Sequence, residues 1–301
     1  MSPARPPEAA AARQHGRDPV SRRKVRPPSR SVPSSPATPS AGWRRLLARH
    51  DLWVPALALI VATLLWEGLV RWAEIPHYIL PAPTQVLASL WADAGSLATA
   101  WWFTIKITFG ALLLAALGGA LLAALFASSR WIEMALFPFA IVLQVTPIVA
   151  IAPLIIIYVD STTAALLLCT WIVAFFPILS NTVIGLRSAD PNLRDLFTLY
   201  RASRWQRLRW LLLPSALPYF VAGLKIAGGL SLIGAVVAEF TAGAAGRETG
   251  LASRIQEASF RTDTPKLYAA LLLTSLTGIA IFWLFNALAR WCLGRWHASE
   301  R

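Results

Sequence analysis

The densest set of side chains able to do chemistry lies in one basic segment, residues 188–214. Arginines alternate there with large apolar residues, namely Arg204, Trp205, Arg207, Leu208, Arg209 and Leu211. Guanidinium groups bind carboxylates and phosphates, and tryptophan favours the interface between a membrane and water. The pattern predicts either a helix on an anionic lipid surface or a docking site for a protein partner, and the residues alone leave both open.

The same segment carries the signals of two short helices. Asp190 followed by Pro191 is typical of a helix start, because Asp caps free amides and proline fits the first turn. Ser203 with Gln206 three residues later has the spacing of a capping box. Pro214 stops or bends the chain that follows. We therefore expect two helices, roughly at right angles, between 190 and 214.

Composition indicates that lipid rather than water is the main solvent of this chain. Of its 301 residues, 56% are hydrophobic and only 14% are charged, whereas soluble domains carry about a quarter charged residues. The mean hydropathy is +0.55, and many of the 14 tryptophans lie near the ends of apolar runs, as at membrane interfaces. The net charge of +13 is concentrated in a tail and in particular loops, which argues against a nucleic-acid-binding face.

Six apolar segments are long enough to cross a bilayer, which takes roughly 20 residues. They cover residues 52–72, 105–127, 134–158, 162–184, 217–241 and 267–293. The third contains Pro138, Pro147 and Pro153, so we expect it to kink or to form two shorter helices. The predicted fold class is all-α, a polytopic membrane protein with about six transmembrane helices.

The distribution of positive charge predicts the orientation of these spans. With six spans and a cytoplasmic N-terminus, 21 of the 28 Lys and Arg residues fall on the cytoplasmic side. The segment at 73–101, which would then face outward, has no Lys or Arg. The positive-inside rule therefore predicts that both termini are cytoplasmic.

The ends of the chain differ from its membrane part. Residues 1–42 are rich in Pro, Ser, Ala and Arg without apolar periodicity, so we expect a disordered basic tail before a membrane domain at 43–297 and a short tail at 298–301. Two cysteines in apolar runs and four scattered histidines predict neither a disulfide nor a metal site. The chain has no G-x-x-x-x-G-K-[ST] phosphate loop, so ATP-driven work would need a second chain.

Four ionisable residues lie within or near the apolar spans: Glu67, Lys106, Lys225 and Glu239. A charge at the centre of a membrane helix costs roughly 2.5–3.5 kcal/mol on insertion scales, so such residues are candidates for a transport pathway. Each also has a structural interpretation. Glu67 and Lys106 can extend to the interface, and Glu239 can pack or cap a helix end. Lys225 has the sign to meet an anionic substrate.

Two polar residues, Gln144 and Thr146, join this set because of their place on the proline-rich third span. Kinked backbone at membrane depth is tolerated where it borders a cavity. The predicted pathway candidates are therefore Gln144, Thr146, Lys225 and Glu239.

The spacing within 190–214 resembles the coupling loop of binding-protein-dependent ABC importer permeases, E-A-A-x3-G-x9-I-x-L-P. On this chain the motif positions fall on Asp195, Leu196, Phe197, Arg201, Leu211, Leu213 and Pro214, and Ala202 and Ser203 are also close to the family's wording. The spacing agrees throughout, and Asp195 is a mild change from Glu. Arg201 is a larger departure, because the family has glycine where a left-handed turn joins the two helices.

Other stretches resemble the permeases for nitrate, sulfonates, taurine and thiamine-pyrimidine precursors, and the resemblance covers about 52–297. These stretches include Leu-Pro-Ala-Pro-Thr-Gln-Val at 80–86, Pro-Ile-Leu-Ser-Asn-Thr at 177–182 and Arg-Trp-His at 295–297. Two departures lie near the third span, where 158–160 replaces the usual Trp-Phe-Gly and Gln144 replaces a frequent Arg. Both concern the expected lining of the pathway and hence the substrate.

The resemblance implies a bacterial inner-membrane subunit that performs no covalent chemistry and needs no cofactor. It would form a homodimer, receive a small solute from a periplasmic or lipid-anchored binding protein, and place 188–214 in a cleft of a separate ABC ATPase, whose closure rocks the spans as rigid bodies. The alternative is a self-sufficient secondary transporter or channel, a class that commonly shows internal repeats and a broken-helix ion site. A membrane-embedded enzyme would need an acid/base or nucleophile cluster, which the sequence lacks.

Overall fold

A computed structural model describes residues 41–243 and 249–294, which form eleven α-helices, one π-helical turn and no strand. The predicted tail at 1–42 lies outside these ranges except for residues 41 and 42, which begin the first helix, and the predicted tail at 298–301 lies outside them entirely. All contacts described below belong to the compact unit that begins at Ala56. The helices are α1 (Ala41–Trp72), α2 (Pro83–Ala92), α3 (Ala94–Ser128), α4 (Arg130–Val145), α5 (Ile148–Tyr158), α6 (Thr162–Arg187), α7 (Pro191–Leu199), α8 (Arg204–Arg207), α9 (Leu213–Ala242), α10 (Leu251–Phe260) and α11 (Thr264–Leu293), with the π-helical turn at Leu208–Leu212 between α8 and α9.

Five segments of the described chain are long and apolar enough to cross a membrane: Trp53–Trp72, Ala94–Ser128, Thr162–Arg187, Arg204–Ala242 and Thr264–Leu293. Helices α4 and α5 pass the same test together but bend by 102°, which makes a sixth crossing if they form one broken span. The predicted all-α fold with about six spans is therefore confirmed. Two spans are longer than predicted, because α3 begins at Ala94 rather than at 105 and α8 continues into α9.

The bend between α4 and α5 has a local cause in the sequence. Thr146 precedes Pro147, and a residue before proline is pushed out of the helical region, here to φ −67° and ψ 123°. Pro147 has no amide hydrogen with which to continue the helix. The amide and hydroxyl of Thr146 both donate to the Val142 carbonyl, at 3.0 and 2.7 Å, and end α4 there. Of the two forms predicted for this span, the chain adopts two shorter helices.

Helices α3, α6 and α9 form the core of the bundle. More than half of the most apolar stretch of α6 is buried inside it. Glycines let these helices approach closely. A β-carbon at Gly223 of α9 would lie 2.9 Å from the Pro177 carbonyl oxygen of α6, and one at Gly185 of α6 would lie 2.8 Å from the Ala216 Cα. Small residues at such contacts are typical of membrane bundles. The packing fixes α6 against α9 at the end of the bundle from which α7 leaves.

The opposite end of the bundle carries α10 and is held by contacts between residues far apart in sequence. Lys266 Nζ lies 2.7 Å from Asp93 Oδ1, which joins the start of α11 to the α2–α3 junction. Trp101 Nε1 on α3 donates to Thr277 Oγ1 on α11 at 2.8 Å. We refer to these two ends as the α7 end and the α10 end.

Candidate functional site

The basic segment at the α7 end forms two short helices that begin where the sequence predicts. The Asp190 carboxylate accepts a hydrogen bond from the Asn192 amide at 2.7 Å, and Pro191 is the first residue of α7. At the start of α8, Ser203 Oγ accepts from the Gln206 amide at 3.2 Å, and the Ser203 amide donates to Gln206 Oε1 at 2.8 Å. Both predicted helix starts are confirmed.

The turn between α7 and α8 is left-handed at Arg201, whose φ is +51°. The Arg201 amide donates to the Thr198 carbonyl at 3.0 Å, and the Ala202 amide donates to the Phe197 carbonyl at 2.9 Å. This pair of bonds is the Schellman motif, in which glycine is the favoured left-handed residue. The chain therefore keeps the turn of the glycine-containing motif, although arginine adopts it at a steric cost.

Two arginines of the segment hold the two helices in place, and one of them, Arg207, belongs to the pattern that predicted lipid or partner contact. Arg194 Nη2 on α7 donates to the last carbonyls of α6, those of Leu186 at 3.2 Å and Arg187 at 2.7 Å. Arg207 Nη2 on α8 donates to Thr198 Oγ1 on α7 at 3.0 Å. The available signal was the position of Arg194 just beyond a helix, because basic side chains there often bind the final carbonyls.

The outer face of the two helices is apolar and exposed. Leu196 is 45% exposed, Tyr200 78% and Trp210 66%. They border a groove of about 360 Å³ whose lining is completed by Phe197, Ala202 and Gln206. Asp195, at the acidic position of the motif, is also exposed. Exposed large apolar side chains gathered around a groove are typical of a protein or membrane contact.

The end of the motif connects the segment to a transmembrane helix without a break. Leu211 is buried within the π-helical turn, and Leu213 and Pro214 are the first two residues of α9. The Leu213 amide bonds to the carbonyl of Leu208, five residues earlier, just before Pro214, which has no amide hydrogen to donate. No loop therefore separates α8 from α9.

The four predicted pathway residues lie in different surroundings. Gln144 is exposed near the end of α4, and Thr146 is half-buried at the α4–α5 bend. Lys225 is exposed on α9, with its Nζ 5.3 Å from the ring centre of Phe282 on α11. Glu239, near the end of α9, is 1% exposed. Gln144 and Thr146 thus both lie close in sequence to the bend, whereas the Glu239 carboxylate is enclosed.

The Glu239 carboxylate is an acceptor for the start of α10. It receives hydrogen bonds from Thr104 Oγ1 at 2.8 Å and from the Ala252 amide at 3.0 Å. Thr104 Oγ1 in turn accepts from the Leu251 amide at 2.9 Å, and Gly250 packs against the carboxylate. An acidic side chain that satisfies the free amides of a helix start acts as a cap. We call Thr104, Glu239 and the 250–252 backbone the Glu239 network.

The other two ionisable residues have local partners. The Glu67 carboxylate accepts from the Thr84 amide at 3.0 Å and from Arg71 Nε at 2.6 Å, which attaches α1 to α2. Lys106 Nζ lies 5.5 Å from the ring centre of Phe103, one turn earlier on α3. Within 41–243 and 249–294, no group of three or more His, Cys, Asp and Glu side chains is placed to hold a metal ion.

Comparisons with known proteins agree with this architecture. The family model described as the binding-protein-dependent transport system inner membrane component matches residues 115–294. A riboflavin transport system permease protein of Chloroflexus aurantiacus is 36% identical over 267 residues, which cover 85% of this chain and 95% of that protein. A formylaminopyrimidine transport permease protein of Halalkalibacterium halodurans is 32% identical and covers 79% of this chain and 95% of that protein.

A solved structure of an amino acid ABC transporter with histidines shares the fold. Its TM-score is 0.55 at 16% identity, and the match covers 67% of this chain and 97% of that chain. The family match and the relatives favour a permease over the alternative of a self-sufficient transporter or channel. The chain belongs to the binding-protein-dependent transport system inner membrane component family and is a multi-pass membrane permease subunit of an ATP-binding-cassette importer.

Proposed function

We propose that this permease docks its α7–α8 segment in a cleft of a separate ABC ATPase, which hydrolyses ATP, and that it works as a homodimer with cytoplasmic termini. Family membership implies an ATPase and a substrate-binding protein as partners. In this arrangement the ATPase binds the α7 end, and the binding protein binds the α10 end on the periplasmic side. The permease itself then carries no catalytic residue.

The observation that carries the docking proposal is an exposed apolar groove on a rigid frame. Leu196, Tyr200 and Trp210 lie around the groove with little burial in the single chain. The helices beneath them are fixed by the Schellman turn at Arg201 and by the Arg194 bonds to α6. A preorganised apolar surface loses little side-chain and loop freedom on binding, so it suits a protein contact that must transmit motion.

Asp195 offers a test of this docking surface. The variant Asp195→Arg reverses an exposed charge beside the groove, so the ATPase should no longer co-purify and ATP-driven uptake should fall to background. Asp160→Arg is the matched control for ATPase co-purification, because it makes the same charge change at an exposed position between α5 and α6. Wild-type recovery of the ATPase with Asp195→Arg would contradict docking at this surface.

The homodimer is supported by a large apolar surface that a single chain leaves uncovered. On the bent pair, Phe139 is 68% exposed, Val145 75% and Ile157 74%, and on α9 Ile233 is 57% exposed. These faces border either lipid or a second copy. A single cysteine placed at Val145, or at Ile233, of an otherwise cysteine-free permease should cross-link two identical subunits in membranes. A complex that contains only one permease copy would contradict the proposal.

For the cargo, we propose a neutral heterocycle of the vitamin-precursor type rather than a small inorganic anion. Gln144, where the branch for nitrate, sulfonates, taurine and thiamine-pyrimidine precursors often has Arg, places a neutral amide on the last turn of α4, two residues before Thr146. The surrounding exposed side chains, such as Val142 and Val149, are apolar. Apolar walls with a few amide and hydroxyl groups suit a flat heterocycle, whereas nitrate, taurine and sulfonates need a cation. Lys225, the cation among the predicted pathway residues, instead lies near the ring of Phe282 on α11. Riboflavin and formylaminopyrimidine, named for two relatives, are of this chemical type.

Competition for uptake separates these cargoes. In vesicles that contain the permease, its ATPase and its binding protein, ATP-driven uptake of riboflavin or formylaminopyrimidine should exceed that of nitrate and taurine. The variant Gln144→Arg should reduce heterocycle uptake, while Thr163→Arg, at the second residue of α6, serves as a control for an added charge. Preferential uptake of nitrate would overturn the cargo proposal and leave the docking proposal intact.

A further inference from the structure

A cavity of about 560 Å³ lies at the α7 end, between the ends of α3 and α6 and the starts of α4, α7 and α8. Its inner wall is apolar and includes Phe126 and Leu186, both buried. Four arginines, one each from α4, α6, α7 and α8, complete the lining: Arg130, Arg187, Arg194 and Arg207. This cavity is separate from the docking groove, with which it shares no lining residue.

The charges that line the cavity are unbalanced. Glu133 is the one acidic residue of the lining, and its carboxylate is already paired with Arg187. Arg130 has no hydrogen bond or ion pair within the described residues. The Nε atoms of Arg194 and Arg207 are buried without an acceptor in the described chain, although each guanidinium uses its Nη2 for a tether. Buried donors normally have partners, so these groups point to an acceptor that the chain does not supply.

The ligand chemistry follows from the geometry of the guanidinium groups. Planar forks with several donors match the oxygens of phosphate better than those of a neutral group. The apolar wall next to the arginines suits the glycerol and acyl part of a phospholipid. We propose that the cavity binds a phosphate group and that its natural source is the headgroup of an anionic phospholipid in the membrane leaflet at the α7 end.

The position of the cavity gives the bound phosphate a mechanical consequence. Arg130 belongs to α4, Arg194 to α7 and Arg207 to α8, so one phosphate between them ties the loop that carries the docking groove to the bent pair. Anionic lipid would then hold α7 and α8 in place. The choice of leaflet rests on the proposed cytoplasmic orientation, because anionic lipids there attract basic segments. The binding of phosphate itself does not depend on that orientation.

The test is a titration of the purified full-length permease in detergent, without its ATPase, followed by the thermal unfolding midpoint. Dioctanoyl phosphatidylglycerol should raise the midpoint at a concentration at least about tenfold below that needed for dioctanoyl phosphatidylcholine. Arg130→Gln and Arg207→Gln should each weaken the effect about tenfold, because each removes a charged donor. The matched control is Arg209→Gln, since Arg209 is exposed and stacks on Trp210, 5.5 Å from its ring centre. It should stay within about twofold of wild type, because it lies outside the cavity lining.

Arg130→Gln is the more informative variant, because Arg130 has no intramolecular partner in the described chain whose loss would unfold the protein. Inorganic phosphate distinguishes the two sources of the group. No competition by millimolar phosphate supports the lipid, whereas full competition assigns the site to a soluble phosphate and overturns the lipid part of the proposal. Equal binding by wild type, Arg130→Gln and Arg207→Gln would overturn the site itself. Loss of ATPase docking would affect neither result, because the ATPase is not present.

Discussion

The short helices at the two ends of this permease begin with hydrogen bonds of opposite range. At the α7 end, the caps and the turn join residues two to five positions apart, as in Asp190 with Asn192 and Ala202 with Phe197. At the α10 end, Thr104 and Glu239 are 135 residues apart, and Leu251 and Thr104 are 147 apart. The first end is exposed and the second is buried. A surface that must meet a partner is thus shaped locally, while the end that closes the bundle depends on tertiary packing.

The largest effect is expected from removing the centre of the Glu239 network. Glu239→Ala leaves the Ala252 amide buried without its acceptor and leaves the Thr104 hydroxyl only its longer hydrogen bond to the Ala100 carbonyl, at 3.3 Å, which should lower the free energy of unfolding by about 3 kcal/mol. Chemical unfolding in detergent micelles measures this loss. Glu239→Gln keeps one carbonyl oxygen as an acceptor and should lose less. A Glu239→Ala protein as stable as wild type would contradict the dependence of the α10 end on these long-range hydrogen bonds.

A smaller loss is expected from adding one methyl group to the same network. In Gly250→Ala the new β-carbon would collide with the Glu239 carboxylate, so the start of α10 must shift. The expected cost is about 2 kcal/mol, as for other overpacked sites. Gly95→Ala is the matched control, because no atom lies within 4 Å of the position that its β-carbon would take, and α3 should tolerate the change. Equal unfolding midpoints for the two variants would show that the network is loosely packed.

The α7 end should respond in the opposite direction to a change at its turn. Arg201→Gly removes the steric cost of a left-handed side chain and should stabilise the turn by about 1 kcal/mol. The readout is hydrogen exchange of the Ala202 amide, which donates to Phe197 and should exchange more slowly. Arg201→Ala keeps a β-carbon and should bring no comparable gain. Faster exchange in Arg201→Gly would mean that the arginine side chain, rather than the turn, holds the two helices together.

The smallest effect concerns pH and the exposed side of α10. The hydrogen bond from Arg254, 2.8 Å from the Glu257 carboxylate, holds the pKa of Glu257 below its usual value. A lowered pKa in the folded state means that the stabilisation is present above pH ~4.3 and is lost as the pH falls through the folded pKa. Because both side chains are partly exposed, the contribution should stay below about 0.5 kcal/mol. As the pH is lowered from the unfolded-state pKa, the unfolding midpoint of the wild type should show the loss of this contribution. The midpoint of Glu257→Gln should not show it.

Features that depend on near neighbours in the chain and on average composition could be predicted from the sequence. Apolar length identified the spans, and Asp190 and Ser203 marked the starts of α7 and α8 because a cap needs only the next few amides. The three prolines of the third span predicted a kink or break for the same reason, and the structure places the break at Pro147. The all-α membrane fold and the family followed from these signals together with the motif spacing.

Contacts between side chains that are far apart in the sequence became known only from the tertiary structure. The partners of Glu239 and the arginine-lined cavity join elements whose separation in sequence carries no trace of their contact. The left-handed Arg201 shows the same limit at short range, because two backbone bonds and the Arg207 bond to Thr198 keep a turn that the residue itself disfavours. Propensity is a local energy, and where several contacts fix the backbone together their sum outweighs it.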